Sequence, residues 1–461
     1  MTGNAEMRTR KGTTGKPDML TGHPGKTLFF FALPMILGNL FQQFYNMADS
    51  MIVGRYVGED ALAAVGASYS LTTVFIMIAI GGGIGASVIT SQYLGADEYG
   101  RMKTSIYTAL ITFLVLSVLL AAGGFLCNRQ ILMALKTPDN ILDDAVLYLK
   151  IYFGGLPFLF MYNILSAMFN ALGKSRIPLY LLIFSSLFNV ALDLYMVKAL
   201  SLGVAGVAVA TVIAQGISAL ISFGILIGML KKYGTGKNQG AKLFDGEMLL
   251  RGTKIAIPSI IQQSIVSIGM LLVQSVVNGF GSSVLAGYSA GMRIESICIV
   301  PMIATGNAVS TFTAQNLGAK QTERVKKGYH AGLLMVAVFA VIICVVLELF
   351  HGPIMQAFLK GEGGIWAYET GNSYLVFIGW FFALIGCKAS TDGVLRGAGD
   401  VGVYMAANLV NLAIRVSFAN LMAPVFGVQA VWWAVPLGWS VNFLLSFIWY
   451  RTGRWSRKQV I

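Results

Sequence analysis

Histidine, cysteine and acidic residues are scarce in this chain. Of 461 residues, three are His, four are Cys and 20 are Asp or Glu, against 33 Lys and Arg. His23, His330 and His351 are too scattered to build a zinc site or a catalytic triad. Cys127, Cys298, Cys344 and Cys387 lack metal-ligand spacing and fall within or at the ends of apolar runs, so they read as free thiols packed as small hydrophobes. Long polar stretches are missing too. No segment is large enough for a nucleotide-binding domain, and Gly234-Thr235-Gly236-Lys237-Asn238 lacks both the upstream Gly and the following Ser or Thr of a phosphate loop. ATP is excluded as a direct energy source, and enzymatic chemistry has no visible machinery.

What fills the chain is hydrocarbon. Hydrophobic residues make up 56% and charged residues 11%, with a mean hydropathy of +0.71, outside the range of ordinary soluble domains. Apolar runs long enough to cross a bilayer, about 20 residues each, recur near 28–53, 61–93, 104–126, 141–164, 177–197, 203–230, 253–278, 284–315, 328–350, 366–388, 401–423 and 425–450. Only a helix satisfies its own backbone within one such run. The fold class is therefore all-α, an integral membrane protein of twelve transmembrane helices.

The chain also repeats itself. Pro34, Gly58, Leu62, Ala63, Gln92, Leu94, Gly95 and Ala96 return as Pro258, Gly281, Leu285, Ala286, Gln315, Leu317, Gly318 and Ala319, at an offset of 224 for the proline and 223 thereafter. Ala171-Leu172-Gly173 against Gly397-Ala398-Gly399, and Gly203-Val204 against Gly427-Val428, hold the offset at 224 to 226. Six spans per half make the copies parallel repeats about a central cleft, a plan that lets two bundles rock around one shared site. The division is a tail over 1–27, a first lobe over 28–230, a linker over 231–252, a second lobe over 253–450 and a tail over 451–461.

Charge orients this bundle. Counting Lys254 at the edge of the seventh span, 24 of the 33 Lys and Arg fall on the side of the two termini and five on the other; the rest are Lys150, Arg293, Lys388 and Arg415 inside spans. By the positive-inside rule both termini are cytoplasmic, in a plasma membrane. The net charge of +13 thus reports topology and contact with anionic lipid, and not nucleic acid. Residues 1–27 show no apolar h-region or cleavage site, so they read as a cytoplasmic tail and not as a signal peptide.

Polar residues inside spans are costly and therefore functional candidates. In the first span Asn39, Gln42, Gln43, Asn46 and Asp49 line one face, with Tyr45 one turn before Asp49. The fifth span carries Asn189 and Asp193, the sixth Thr211. Asp49 lies 21 residues past Leu28, about 31 Å along the helix, and Asp193 lies near the outer end of its span, so both acids sit in the outer half of the first lobe. Two close carboxylates in a partly dry pocket repel when both are ionised, which suits a proton carrier, or a sodium site if Asn189, Thr211 and the tyrosine supply further oxygens. The competing reading is that both acids lie near the interface and are merely solvated.

The matching face of the second half is not acidic: Gln262, Gln263, Ser264, Ser267, Gln274 and Asn278 in the seventh span, Asn408, Asn411 and Arg415 in the eleventh. Gln42, Asn46, Gln262, Gln263, Asn411 and Arg415 are candidates for a substrate cleft, the alternative being amides that glue helices together. Lys388, Asp392 and Arg396 read as a clasp at the inner end of the tenth span, and Arg293 with Glu295 as a local charge pair. Pro34, Pro258 and Pro301 mark kinks, while Gly81, Gly82, Gly83 and Gly85 allow close approach of the second span.

The run Leu33-Pro34 through Phe44-Tyr45-Asn46-Met47-Ala48-Asp49, with Val53-Gly54-Arg55, resembles the first helix of the multidrug and toxic compound extrusion (MATE) family. Gln92-Tyr93-Leu94-Gly95-Ala96, Gln315-Asn316-Leu317-Gly318-Ala319 and Leu395-Arg396-Gly397-Ala398-Gly399-Asp400 are similar family marks, and the likeness covers essentially all twelve spans. It implies a V-shaped pair of lobes that exports cationic, amphipathic drugs in exchange for protons or sodium ions, without a cofactor and as a monomer. By the family pattern, coupling residues fall on Asp49, Tyr45, Asn189, Asp193 and Thr211, with a fourth-helix tyrosine on Tyr148. Branches that couple through acids on the seventh and tenth helices have Val266 and Ile385 as the matching positions here, so the first-lobe site is the expected one. Two other classes remain: a lipid-linked precursor flippase of the same superfamily, for which Arg415 and Lys388 are the only obvious basic cleft residues, and a non-transporting membrane scaffold.

Overall fold

The computed structural model describes residues 19–234, 240–359 and 364–457. The first eighteen residues of the N-terminal tail, residues 235–239 of the linker, with the tested Thr235 to Asn238, and the last four residues of the C-terminal tail lie outside the described residues.

Among the described residues the regular structure is helical: α1 Pro24–Ile52, α2 Glu59–Gly95, α3 Tyr99–Ala134, α4 Asp139–Ala171, α5 Arg176–Leu194, α6 Gly203–Leu230, α7 Gly246–Asn278, α8 Ser282–Cys298, α9 Val300–Gly318, α10 Thr322–Leu359, α11 Gly364–Gly379, α12 Phe382–Gly397, α13 Val401–Phe426 and α14 Gln429–Arg451. Among the described residues eleven stretches are long and apolar enough to cross a membrane, or twelve with the bent pair α11 and α12 taken as one span. Two spans are broken. The eighth is divided at Ile299, just ahead of Pro301, where a proline fits the first turn of a new helix because its missing N–H is an orphan there. The tenth bends by 53° between α11 and α12 without any proline. Its break is filled by rings, with Trp380 donating to Glu348 and Phe381 lying against Phe377 and Trp433. Pro34 and Pro258 sit inside continuous helices.

Each half is organised around one buried helix. In the first lobe α4 packs against α2, α3 and α6, and its Phe153, Leu156, Phe160, Ile164, Met168 and Phe169 are fully enclosed. The tenth span does the same in the second lobe, with α11 against α8 and α12 against α9 and α14. Lipid tails are as apolar as these side chains, so close packing and not transfer from water holds such helices together. Fit is correspondingly tight: a Cβ at Gly155 would come within 2.3 Å of Val212, and one at Gly287 within 2.1 Å of the Ala367 carbonyl. Helices α3 and α10 present outward faces, with Leu114, Val118, Val341 and Val345 exposed for lipid to cover.

The lobes meet at the end of the bundle that holds the interlobe linker. There α2 lies on α7, with Gly81 against the backbone of Ile260 and Gly85 against Gly252 and Ala256. Ser267 reaches Met77 further along. Beyond that level Val74 and Leu271 continue the same two faces and are exposed, so the helices part toward the far end.

Candidate functional site: a carboxylate pair in the first lobe

The first-lobe polar residues come together where α1, α5 and α6 approach the far end. Asp193 is completely buried and Asn189 nearly so, while Asp49 and Tyr45 are half-buried. The Tyr45 hydroxyl and the Asn189 amide meet at 2.6 Å. The amide orientation that satisfies both of its ends turns the nitrogen toward Asp193 Oδ2 at 3.0 Å and Tyr45 Oη at 2.6 Å, and the oxygen toward the Thr211 backbone N–H at 3.2 Å. Thr211 Oγ1 lies 3.4 Å from the same amide. The two carboxyl groups are within hydrogen-bonding reach of each other, and each keeps its Oδ1 buried without a partner.

Local backbone contributes to this convergence. One π turn, 53–57, follows α1, and another, 195–199, follows α5; the two turns touch. Asp49 and Asp193 therefore each sit within about one helical turn of a widened segment, a feature often found at functional sites. Beyond them, toward the far end, Val53, Val197, Val204 and Val207 form an apolar plug against which Tyr148 packs, and Tyr148 stacks on Tyr152. A carboxylate pair with hydroxyl and amide oxygens around it, and apolar side chains on its far-end side, offers a proton or a small hard cation its preferred donors.

The substrate-cleft candidates scatter. Gln42 donates to Asn46 at 2.9 Å along the exposed part of α1, and Gln263 is half-buried on α7. Gln262 is not a cleft residue: it is buried and takes the Tyr404 hydroxyl at 2.5 Å, fastening α7 to α13 inside the second lobe. Asn411 is likewise buried, its Oδ1 lacking a partner, next to Arg415, whose Nε is buried and also without one.

Two other charge assignments need correction. Lys388 and Asp392 do pair, at 3.0 Å, and Ser446 donates to Asp392 at 2.7 Å. Arg396 stands apart from them, donating instead to Asn307 at 2.7 Å, because its longer side chain reaches across to α9. Arg293 is exposed and does not face Glu295, which points into the lobe and accepts a hydrogen bond from Tyr374. Glu295 is the residue that sequence reasoning misplaced. Tyr374 and Arg415 are the mates of Tyr148 and Asn189, both at an offset of 226, so Glu295 supplies a buried carboxylate to the second lobe's version of the first-lobe cluster. The offset applied to Tyr148 names Tyr374, the donor to Glu295, while Glu295 itself has no acidic mate in the first half. Of the four free cysteines, Cys127 is exposed and not packed, since it lies on the outward face of α3.

This architecture of twelve spans in two similar halves, with ionisable groups buried between helices, is that of a membrane transporter. Comparison with known proteins agrees. The MatE family model matches residues 34–196 and 258–421, two stretches that start at the repeated prolines, and the chain belongs to that family; it is a multi-pass membrane transporter and not an enzyme. It is similar to the probable multidrug resistance protein YpnP of Bacillus subtilis (strain 168), 29% identical over 95% of this chain and 97% of that one. It is also similar to the FAD transporter of Shewanella oneidensis, 23% identical over 94% and 95%. Among solved structures, the outward-facing conformation of a multidrug resistance MATE family transporter of the MOP superfamily superimposes with a TM-score of 0.88 at 22% identity, covering 97% of this chain and 99% of that one.

Proposed function

We propose that this protein exports cationic, amphipathic compounds across the plasma membrane in exchange for protons or sodium ions, by alternating access of the cleft between its lobes. The observation that carries this reading is the convergence of Asp49 and Asp193, within hydrogen-bonding reach of each other, on the Tyr45–Asn189–Thr211 network. Two ionised carboxylates so close together in a poorly hydrated site repel strongly, so they are stable as neighbours only with a proton shared between them or a cation beside them. Loading the pair pulls α1 and α5 together; unloading it pushes them apart. An ion acts through such a difference in affinity between two states and in no other way.

The excess of Lys and Arg at the linker end supports a cytoplasmic location for that end and for both termini. Both lobes and their cleft come from one chain, which supports a working monomer. A relative named as a multidrug resistance protein supports broad substrate range, and the 21 Met, 28 Phe and 18 Tyr supply adaptable apolar surface. A second reading concerns the substrate's charge: the unpartnered Nε of Arg415 and a relative named as an FAD transporter favour an anionic nucleotide-like compound.

The test is efflux from vesicles holding the wild-type protein or Asp49→Asn, under a proton gradient and separately a sodium gradient, with a fluorescent cationic dye and with FAD as alternative cargo. Dye export driven by one gradient and abolished by the substitution is the expected result and names the ion. Export by Asp49→Asn with intact ion dependence overturns the coupling scheme, and FAD movement without dye movement favours the second reading.

A further inference from the structure

The motif Gln-x-x-Gly-Ala occurs once in each half, and the carboxylate site uses neither copy. Both lie in the last turns of their helices, α2 and α9, at the linker end. Gln92 and Gln315 are buried, at 0% and 3% exposure. Each reaches into the opposite lobe: Gln92 Nε2 donates to the Gly397 carbonyl at 3.1 Å, and Gln315 Nε2 donates to the Ala171 carbonyl at 2.7 Å. Gly397 ends α12 and Ala171 ends α4, and those residues are themselves repeat mates, 226 positions apart. The two bonds are thus one interaction made twice about a local twofold axis.

The glycines of the motif explain how the lobes come close enough. A Cβ on Gly95 would lie 1.9 Å from the Gln315 carbonyl oxygen, and one on Gly318 would lie 2.0 Å from that of Gln92. No side chain fits at either position, so α2 and α9 cross backbone to backbone. The acceptors are suited to the donors. Carbonyls in the last turn of a helix have no intrahelical partner and carry the negative end of its dipole, and α4 and α12 are the buried axes of their lobes. The glutamines therefore tie each lobe's interface helix to the buried axis of the other lobe. Separation of α2 from α9 carries each donor away from the opposite lobe and so breaks both bonds.

We propose that Gln92 and Gln315 form a reciprocal latch that holds the linker end of the cleft shut, so that this gate opens as a unit when both bonds break. Its place in the transport cycle rests on the alternating-access reading; the closure itself needs neither cargo nor ion gradient. Loss of a neutral hydrogen bond of this kind shifts an opening equilibrium by about fivefold.

The experiment is the distribution of distances between spin labels at the exposed Lys174 of the first lobe and Lys320 of the second, in the otherwise cysteine-free protein in lipid nanodiscs without a gradient. Gln92→Ala and Gln315→Ala are each expected to raise the open fraction about fivefold, and the double variant at least as much as either. Gln92→Glu, which sets a carboxylate against a carbonyl oxygen, is expected to open the gate further than Gln92→Ala. Gly95→Ala opens it by steric force while both donors remain. An unchanged distribution in the double glutamine variant, with Gly95→Ala open, would mean that backbone packing alone closes the gate and would overturn the latch. Lower thermal stability without any change in distance would overturn it as well, because it marks a purely structural role. Since the readout requires no transport, failure of the antiport reading leaves this result intact.

Discussion

The hydroxyl of Tyr45 and the amide of Asn189 lie 2.6 Å apart, joining the first span to the fifth immediately beside Asp193. This contact orders the carboxylate pair. An amide held by Tyr45 and Thr211 presents one fixed donor to Asp193, and a carboxylate with a fixed neighbour has a defined orientation toward Asp49.

Tyr45→Phe removes that hydroxyl and nothing else. The half-saturating concentration of the coupling ion is expected to rise by about fivefold, and Asn189→Ala should raise it further because the amide touches Tyr45, Asp193 and Thr211. Initial rates of dye efflux against ion concentration measure both. An unchanged half-saturation in Asn189→Ala would remove this network from ion binding.

Glu295→Gln tests the second-lobe carboxylate. An amide oxygen still accepts from Tyr374, so thermal stability should change by less than about 1 kcal/mol. If Glu295 takes part in the cycle, export by this variant falls with the fold intact. Wild-type export would assign it to packing only.

The pair Lys388 and Asp392 is mostly buried, at 13% and 5% side-chain exposure. Lys388→Ala leaves an uncompensated carboxylate and is expected to cost about 3–5 kcal/mol, whereas replacing both partners by Met and Leu should cost far less. Melting temperatures in detergent of the single and double variants decide this. Equal losses would show that the stranded Asp392 carboxylate is not the source of the cost.

Adjacent glycines in α4 make an internal control for packing. A Cβ at Gly155 meets Val212 at 2.3 Å, while one at Gly154 has nothing within 4 Å. Gly155→Ala should therefore destabilise by about 1–3 kcal/mol, and Gly154→Ala should be neutral or stabilising, as Ala is the better helix former. Matching melting curves for the two variants would contradict the packing described for α4 and α6.

Much of the helical layout was legible because each span must satisfy its own backbone within one run of residues. Proline marked the break at Ile299, for a local reason. It could not mark the break after Gly379, which depends on where Trp380, Phe381 and Trp433 find partners on other helices. In the first-lobe site, the i, i+4 spacing of Tyr45 with Asp49 and of Asn189 with Asp193 showed which side chains share a helical face. Across helices that logic weakens. Gln262 looked like a cleft residue and is turned inward by Tyr404, and Glu295 looked paired with a near neighbour but faces Tyr374, 79 positions away.

By itself the sequence determined that this is a duplicated bundle of membrane helices, since hydropathy, charge asymmetry and a repeat near 224 residues are properties of the chain read in order. Only the tertiary structure decided that the two carboxyl groups come within hydrogen-bonding reach, that a second buried carboxylate joins the repeat mates of Tyr148 and Asn189, and that Gln92 and Gln315 each reach into the opposite lobe. Those are relations between helices, set by how far each is rotated about its own axis, and a rotation of one residue, 100°, turns a buried donor toward lipid.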